Sequence, residues 1–197
     1  ADLVQEHPEL EIEVYPTPEV ADVLRREVDI AIRKTRPEHV DLWVKRLLRL
    51  THVVAGSPEL IAELGVLHDL TKAPWVGWPE SMGHMSLATW MRDAGITPQV
   101  GIGLYEPQLH LATRGVGLVL CPRRLLSLYG LVEAPFSPEL MAKGPVFHSD
   151  DLWLVTHRSL RRIPRIAHVW DRILAYTEQR LLELDAKVDS LALQLSS

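Results

Sequence analysis

The stretch VGIGLYEPQLHLATRGVGLVLCP, residues 100–122, decides the fold. Apolar residues alternate with small ones over 100–104, which predicts a strand. Pro107 is suited to the first turn of a helix, where its missing N–H costs nothing, and the glycines of 115–117 end that helix. The apolar run 116–120 is typical of a buried parallel strand. A helix between two such strands is a crossover unit.

The first turn of this helix is the predicted ligand site. In open α/β sheets, small ligands bind beyond the carboxyl ends of the strands, near helix N-termini. Leu104, Tyr105 and Glu106 lie at that position of the crossover unit. We therefore expect these three residues to line the mouth of a binding site, with the rest of the chain organised around it.

Composition and charge limit the classes of protein. The 197 residues are 47% hydrophobic and 24% charged, as in soluble globular proteins of one or two domains. The formal net charge of −5 argues against tight nucleic-acid binding by this chain alone, because phosphate neutralisation needs a basic surface. A single cysteine, Cys121, excludes an internal disulfide and a multi-cysteine metal site. Without an 18-residue apolar run or a signal peptide, the chain is predicted to be cytoplasmic, with no membrane partner.

Strands and helices are predicted to alternate along the rest of the chain, which favours parallel α/β sheets. Hydrophobic patterns predict strands at residues 10–14, 28–32, 47–55, 74–78, 131–134 and 151–156. Turn and capping signals predict helices at residues 19–26, 57–65, 86–95 and 123–129, and a long one from Pro164. Ser57 and Ser86 are the predicted N-caps of two of these helices. Residues 135–149 are predicted to be mostly irregular.

Five segments carry a family resemblance. They are REVDIAIR (26–33), SPELIAELG (57–65), ATRGVGLVLCP (112–122), GLVEAP (130–135) and DLWLVTHRSLRRIPRIAHVWDRI (151–173). In this order and spacing they resemble the effector-binding domain of LysR-type transcriptional regulators. The resemblance runs from Leu3 to about Tyr176.

The resemblance implies a fold. It is an α/β, two-lobed, periplasmic-binding-protein-like (type II) fold, in which each lobe is a mostly parallel sheet flanked by helices. Lobe I is predicted to comprise residues 1–50 and 150–182, and lobe II residues 51–149. Residues 183–197 are then a C-terminal helical extension. The chain opens inside the helix that should follow the first strand of such a domain.

The resemblance also implies a function. A small-molecule effector is expected to bind in the interlobe cleft of a bacterial cytoplasmic regulator that forms a homodimer or homotetramer. Operator DNA is expected to bind through an N-terminal helix-turn-helix domain that lies outside this chain. No catalytic residue, cofactor or metal is expected, and the protein is not expected to be an enzyme.

Three candidate ligand-binding residues follow from matching the chain to the family. Arg33 ends the VDIAI strand, and its guanidinium suits a carboxylate ligand; an ion pair at the hinge is the alternative. Trp78 and Pro79 match the turn of the second lobe that lines the cleft. Trp78 is predicted either to stack on an aromatic effector or to belong to the core.

Four further candidates lie on the other side of the predicted cleft. Leu104, Tyr105 and Glu106 match the turn there, and Glu106 would repel an anionic effector. Two alternatives therefore remain: the effector is neutral or cationic, or Glu106 faces solvent. Cys121 ends its strand near the same edge. A redox-sensing thiol and a buried small residue are its two interpretations, and the second is favoured because there is no resolving cysteine.

Other functions remain as alternatives. A free-standing solute-binding protein would share the two-lobed fold, and a small α/β enzyme would need a nucleophile and base pair that no motif supplies. The nine histidines lack the spacing of a metal motif.

The end of the chain carries a heptad-like pattern of its own. The residues of this seam are spaced alternately by four and three positions: Trp170, Leu174, Thr177, Leu181, Leu184, Val188, Leu191 and Leu195. This seam predicts either a helix that pairs subunits or an amphipathic helix that packs on its own domain.

Overall fold

The structure, a computed structural model, describes residues 2–16, 22–142 and 149–195. Its helices are α1 (Asp2–Glu6), α2 (Pro58–Leu64), α3 (Ser86–Asp93), α4 (Tyr105–Thr113), α5 (Leu126–Tyr129), α6 (Pro138–Ala142) and α7 (Pro164–Leu195). Its strands are β1 (Ile30–Arg33), β2 (Leu42–Gly56), β3 (Val76–Gly77), β4 (Val100–Gly101), β5 (Val119–Pro122), β6 (Val132–Glu133) and β7 (Ser149–His157). Four single turns of 3₁₀ helix lie at Leu70–Lys72, Glu80–Met82, Arg123–Leu125 and Leu160–Arg162.

The chain divides into two compact units. Unit 1 comprises Ala1–Arg49 and Asp150–Glu183, and unit 2 comprises Leu50–Ser149 and Leu184–Ser197. Strand β2 belongs to unit 1 up to its eighth residue and to unit 2 beyond it.

Unit 1 contains β1, β7 and the first half of β2, with β7 between the other two strands. β1 and β7 pair antiparallel, from Ile30 opposite Thr156 to Arg33 opposite Trp153. The small core on one face includes the fully buried Val155. The Thr156 hydroxyl is also buried, and it donates a 2.7 Å hydrogen bond to the Asp29 carbonyl, which ties the entry of β1 to β7.

Two predictions for the start of the chain are wrong within the described residues. Residues 10–14 form no strand, although their apolar side chains alternate. A strand needs a neighbour for its backbone groups, and among the described residues none pairs with this segment, so Val14 stays 80% exposed. The predicted helix at 19–26 is a turn over residues 23–26, and its first residues lie outside the described part of the chain.

Unit 2 is built on the predicted crossover. β4, α4 and β5 follow one another, and Gly115 ends α4 with a φ of +74°, a left-handed conformation that suits glycine. β3 and β4 pair parallel, and Trp75 and Leu118 form a parallel bridge between the entries of β3 and β5. The predicted strand at residues 74–78 is therefore present as β3 and this bridge.

The sheets are more mixed than the predicted mostly parallel ones. β2 pairs antiparallel with β5 and with β6, and the β1–β7 pair of unit 1 is antiparallel as well. Crossover helix α4 makes β4 and β5 run in the same direction, whereas β2 enters unit 2 as the continuation of a long strand. Local hydrophobic patterns carry no information on the direction of β2 relative to β5.

The core of unit 2 has two parts because residues along β5 alternate between its faces. Leu118 and Leu120 belong to one buried cluster, which contains Trp75. Val119 and Cys121 belong to the other cluster, against the buried Leu109 of α4. β5 is thus buried on both faces, as its continuous apolar run predicts.

One of the two predicted helix caps is present. The Ser57 hydroxyl accepts a 3.2 Å hydrogen bond from the Leu60 N–H at the start of α2. Ser86 is not a cap, because it is the first helical residue of α3 and the extended Met85 precedes it. Backbone geometry at the end of the preceding turn therefore decides where α3 begins.

α7 is longer than a helix that only closes a domain. The first part of its apolar seam faces inward, since Trp170 and Leu184 are buried. Leu182, which lies off the seam, is 69% exposed. The seam residues Val188, Leu191 and Leu195 have side chains outside the described set. In the described residues no helix combines the length and apolarity that a membrane span requires.

Candidate functional site

The carboxyl ends of β3 and β4 meet at one edge of unit 2. Gly77 lies opposite Gly101 in the parallel pair, and the Ile102 N–H donates a 2.8 Å hydrogen bond to the Gly77 carbonyl. The residues that follow each strand therefore leave the sheet side by side. Trp78 and Pro79 follow β3, and the turn into α4 follows β4.

Glycines allow these two exits to lie in direct contact. A Cβ atom on Gly101 would lie 3.0 Å from the Cα atom of Pro79, which is closer than most real Cβ contacts. A Cβ atom on Gly103 would lie 3.0 Å from the sulfur of Met82. Gly101 of β4 therefore packs directly on the Pro79 backbone, and Gly103 packs on the Met82 side chain.

Tyr105 connects the two exits to β5. Its ring is parallel to the ring of Trp78, with an interplanar angle of 10° and 6.3 Å between the centroids. Its hydroxyl donates a 2.8 Å hydrogen bond to the Leu120 carbonyl. Burial is the main cause that raises the pKa of the Tyr105 phenol above its ordinary value, so the phenol is neutral at physiological pH.

Cys121 lies behind this edge as a buried thiol. It is fully buried, and its Sγ donates a 3.4 Å hydrogen bond to the Pro122 carbonyl. Burial raises the pKa of the Cys121 thiol to about 12, although the hydrogen bond with Tyr105 lowers it in part. The neutral thiol is a poor nucleophile. These surroundings favour the buried small residue over the redox sensor.

The first turn of α4 presents an apolar and an acidic side chain to solvent. Leu104 is the N-cap residue and makes no capping hydrogen bond with its side chain. The Glu106 side chain is 73% exposed, and its carboxylate lies 3.9 Å from His110 Nε2 one turn further on. Pro107 follows within the same turn, as predicted. Glu106 provides the negative charge that a helix N-terminus favours.

One residue that positions this turn is absent from the sequence-based predictions. The Gln108 side chain is buried, and its Nε2 donates a 2.7 Å hydrogen bond to the Ile102 carbonyl. This bond fixes the turn between β4 and α4. The sequence feature that could have pointed to Gln108 is its position beside Leu109, as a polar residue on the apolar side of a predicted helix.

The structure places the seven predicted ligand-binding residues in two groups. Six belong to unit 2, at or behind the edge just described: Trp78, Pro79, Leu104, Tyr105, Glu106 and Cys121. Arg33 is the last residue of β1 in unit 1, where Trp153 lies opposite it. The residues that the structure describes contain no group of three or more histidine, cysteine or acidic side chains that could hold a metal ion.

Comparison with solved structures identifies the fold. The regulatory domain of CrgA, a LysR-type transcriptional regulator from Neisseria meningitidis, is 18% identical, with a TM-score of 0.68 over 89% of this chain and 88% of that domain. The regulatory domain of AphB from Vibrio vulnificus is 14% identical, with a TM-score of 0.65 over 89% and 88%. The AmpR effector-binding domain from Citrobacter freundii is 17% identical, with a TM-score of 0.58 over 90% and 88%. At these identities the likeness shows the fold alone, which is the type II periplasmic-binding-protein-like fold.

Comparison with sequence families identifies the family. The family described as "LysR substrate binding domain" matches residues 1–178. No curated protein matches the chain. The chain spans 61% of a longer CrgA structure. Because the family match covers most of the sequence, the chain belongs to the LysR substrate-binding domain family, the regulatory, effector-binding domain of LysR-type transcriptional regulators.

Proposed function

We propose that this chain senses a small molecule that contacts the carboxyl-terminal edge of β3 and β4 in unit 2. The observation that supports this most strongly is the parallel arrangement of Trp78 and Tyr105 at that edge. The two aromatic rings pack partly against the core of unit 2. Their remaining apolar surface at adjoining strand ends can contact a ligand with little side-chain freedom to lose on binding.

The edge is built rigidly, as a binding site requires. Tyr105 is held by its hydrogen bond to Leu120, and Gln108 holds the turn that precedes it. Gly101 lets Pro79 pack directly on the β4 backbone. A ligand therefore meets groups that are already in place, which lowers the entropy lost on binding.

The charges at this edge favour a neutral or cationic effector. The Tyr105 phenol and the Cys121 thiol are uncharged at physiological pH because burial raises the pKa of both groups. Glu106 adds an exposed carboxylate. Arg33, which lies in unit 1, stays a proposed ligand-binding residue.

We further propose that the two units are the two lobes of the family fold. A ligand shifts a conformational equilibrium only by its difference in affinity for the two states. Effector binding then acts by favouring one conformation of the regulator, and the chain serves as a sensor rather than as an enzyme.

The remaining functions belong to a longer protein. Because the chain spans 61% of one longer relative, operator binding is proposed for a helix-turn-helix segment outside the chain. Assembly into a homodimer or homotetramer and a bacterial cytoplasmic location are proposals of the same kind.

A ligand screen tests the proposed site. Carboxylates, amines, amino acids and aromatic compounds would be screened by thermal shift, since a ligand of the folded state raises the melting temperature. Calorimetry would then give the affinity of each hit for Trp78→Ala and for the control Trp43→Ala, which alters a half-exposed tryptophan of unit 1. We expect Trp78→Ala to weaken binding about tenfold and Trp43→Ala to leave it unchanged. Equal affinities in both variants would contradict the proposal.

A further inference from the structure

We propose that unit 1 carries a separate binding site for a small dianion, formed by arginine side chains around Trp153 and Asp151. The site uses no residue of the unit 2 edge. It therefore goes beyond the proposed effector site and can stand or fail independently of it.

β7 supplies the floor of this site. Asp151, Trp153 and Val155 alternate along the strand and therefore share one face of the sheet. Val155 is fully buried in the small core of unit 1, and Trp153 packs against that core while staying partly exposed. The face thus changes from apolar core to a partly exposed aromatic and then to a carboxylate.

One arginine side chain approaches Trp153 from the segment that follows β1. The Arg36 guanidinium lies over the Trp153 ring, 5.3 Å from its centroid. A guanidinium stacked on an aromatic ring keeps its N–H edge directed away from the ring, where it can bind an anion.

Two more arginines approach Asp151 from β2. Arg49 donates to both carboxylate oxygens, at 2.9 Å from Nε and 3.4 Å from Nη2. Arg46 Nη1 lies 4.0 Å from the same carboxylate, at the outer limit of an ion pair, and the side chain is 57% exposed. Asp151 therefore orients Arg49 strongly and Arg46 weakly.

The balance of charge sets the ligand class. Three guanidinium groups lie around Trp153 and Asp151. The neighbouring Lys34 pairs with Asp150. This concentration of positive charge stands out in a chain with a formal net charge of −5. Guanidinium forks match the oxygens of carboxylates and phosphates.

The spacing favours a ligand with two negative charges. Asp151 and Trp153 are about 7 Å apart along an extended strand, so Arg46 and Arg36 approach neighbouring points on β7. A small dicarboxylate can contact both guanidiniums with its two ends, and a phosphate can contact them with one doubly charged group. Both ligands share the chemistry that this cluster recognises.

Calorimetric titration at low ionic strength tests the site. The 197-residue chain would be titrated separately with succinate and with inorganic phosphate, and so would the Arg36→Gln and Arg46→Gln variants. We expect saturable binding of at least one anion and an affinity about fivefold to tenfold lower in each variant. The anion that binds more tightly shows whether the source is a dicarboxylate or a phosphate.

A matched control separates a built site from a general effect of charge. Arg165→Gln removes the same charge from an exposed position on α7 of unit 1, and we expect its anion affinity to equal that of the unaltered chain. Chemical-shift mapping should place the largest changes at residues 150–155 and leave the amides of Trp78 and Tyr105 unshifted. The proposal is overturned if neither anion saturates, or if Arg165→Gln weakens binding as much as Arg46→Gln.

Discussion

The ring of Tyr105 lies parallel to the ring of Trp78, 27 residues earlier in the chain, at an interplanar angle of 10°. The same side chain donates a hydrogen bond from its hydroxyl to the Leu120 carbonyl. Tyr105 thus joins the exit of β3, the start of α4 and strand β5. A ligand at this edge would therefore contact elements that Tyr105 holds together.

The Tyr105 hydroxyl should contribute to stability more than to binding. Tyr105→Phe keeps the ring beside Trp78 and removes the hydroxyl, together with its hydrogen bond to the Leu120 carbonyl. We expect a loss of about 1 kcal/mol in the free energy of unfolding, measured in urea, with effector affinity nearly unchanged. Tyr176→Phe, at an exposed position, is the control and should change stability by less than about 0.5 kcal/mol. Equal stabilities of both variants would contradict this role.

The close approach of β4 to Pro79 predicts a contrast between two glycines. Gly101→Ala forces a Cβ atom against the Pro79 backbone and should lower the free energy of unfolding by about 1–3 kcal/mol. Gly103→Ala meets the flexible end of Met82 instead and should have a smaller effect. Urea unfolding of both variants measures the contrast. A larger loss of free energy of unfolding in Gly103→Ala than in Gly101→Ala would contradict the close packing of Pro79 on β4.

Cys121 should be chemically inert in the folded protein. Burial raises the pKa of its thiol to about 12, so very little thiolate exists near pH 7.5. We expect iodoacetamide to alkylate the native chain at least about a hundredfold more slowly than the urea-unfolded chain, in which the thiol has an ordinary pKa of about 8.5. Mass spectrometry measures both rates. Similar rates would revive a redox role for this residue.

The Asp151 carboxyl should lose its proton more readily in the folded state than in the unfolded state. The hydrogen bond from Arg49 is the main cause that lowers the pKa of this carboxyl, and the charges of Arg49 and Arg46 add to it. The unfolded state therefore binds the proton more tightly. The stabilisation is present above the unfolded pKa of about 3.9 and is lost as the pH falls below it.

An NMR titration of the carboxyl carbon checks this prediction. We expect the pKa of Asp151 to lie below the unfolded value and to rise in Arg49→Gln. Arg165→Gln should leave it unchanged, because that residue is not among the causes of the shift. A pKa of Asp151 that is insensitive to Arg49→Gln would show that the ion pair is not formed in solution.

Much of unit 2 could be predicted from local sequence patterns. The crossover over residues 100–122, the Ser57 cap and the grouping of Trp78 with Tyr105 follow from periodicity, capping chemistry and the rule that ligands bind at strand ends. Each of these features depends on neighbours within one helix or between adjacent parallel strands. A short stretch of sequence is therefore enough to predict these features.

The remaining features depend on contacts between distant segments. The alternating residues 10–14 form no strand because no described segment pairs with them, and the direction of β2 against β5 is set by the course of the whole chain. The arginine cluster joins β7 to β2 and to the segment after β1, both of which lie more than 100 residues earlier in the chain. No local pattern brings Arg36 to Trp153 or Arg49 to Asp151.

An effector is proposed to bind at the edge of unit 2 formed by Trp78 and Tyr105. The most direct test is ¹H–¹⁵N chemical-shift mapping of the 197-residue chain during titration with a ligand from the thermal-shift screen. We expect the largest shifts on residues 77–79 and 102–106, including the Trp78 indole N–H. Shifts that saturate elsewhere and leave these residues unchanged would contradict the proposal.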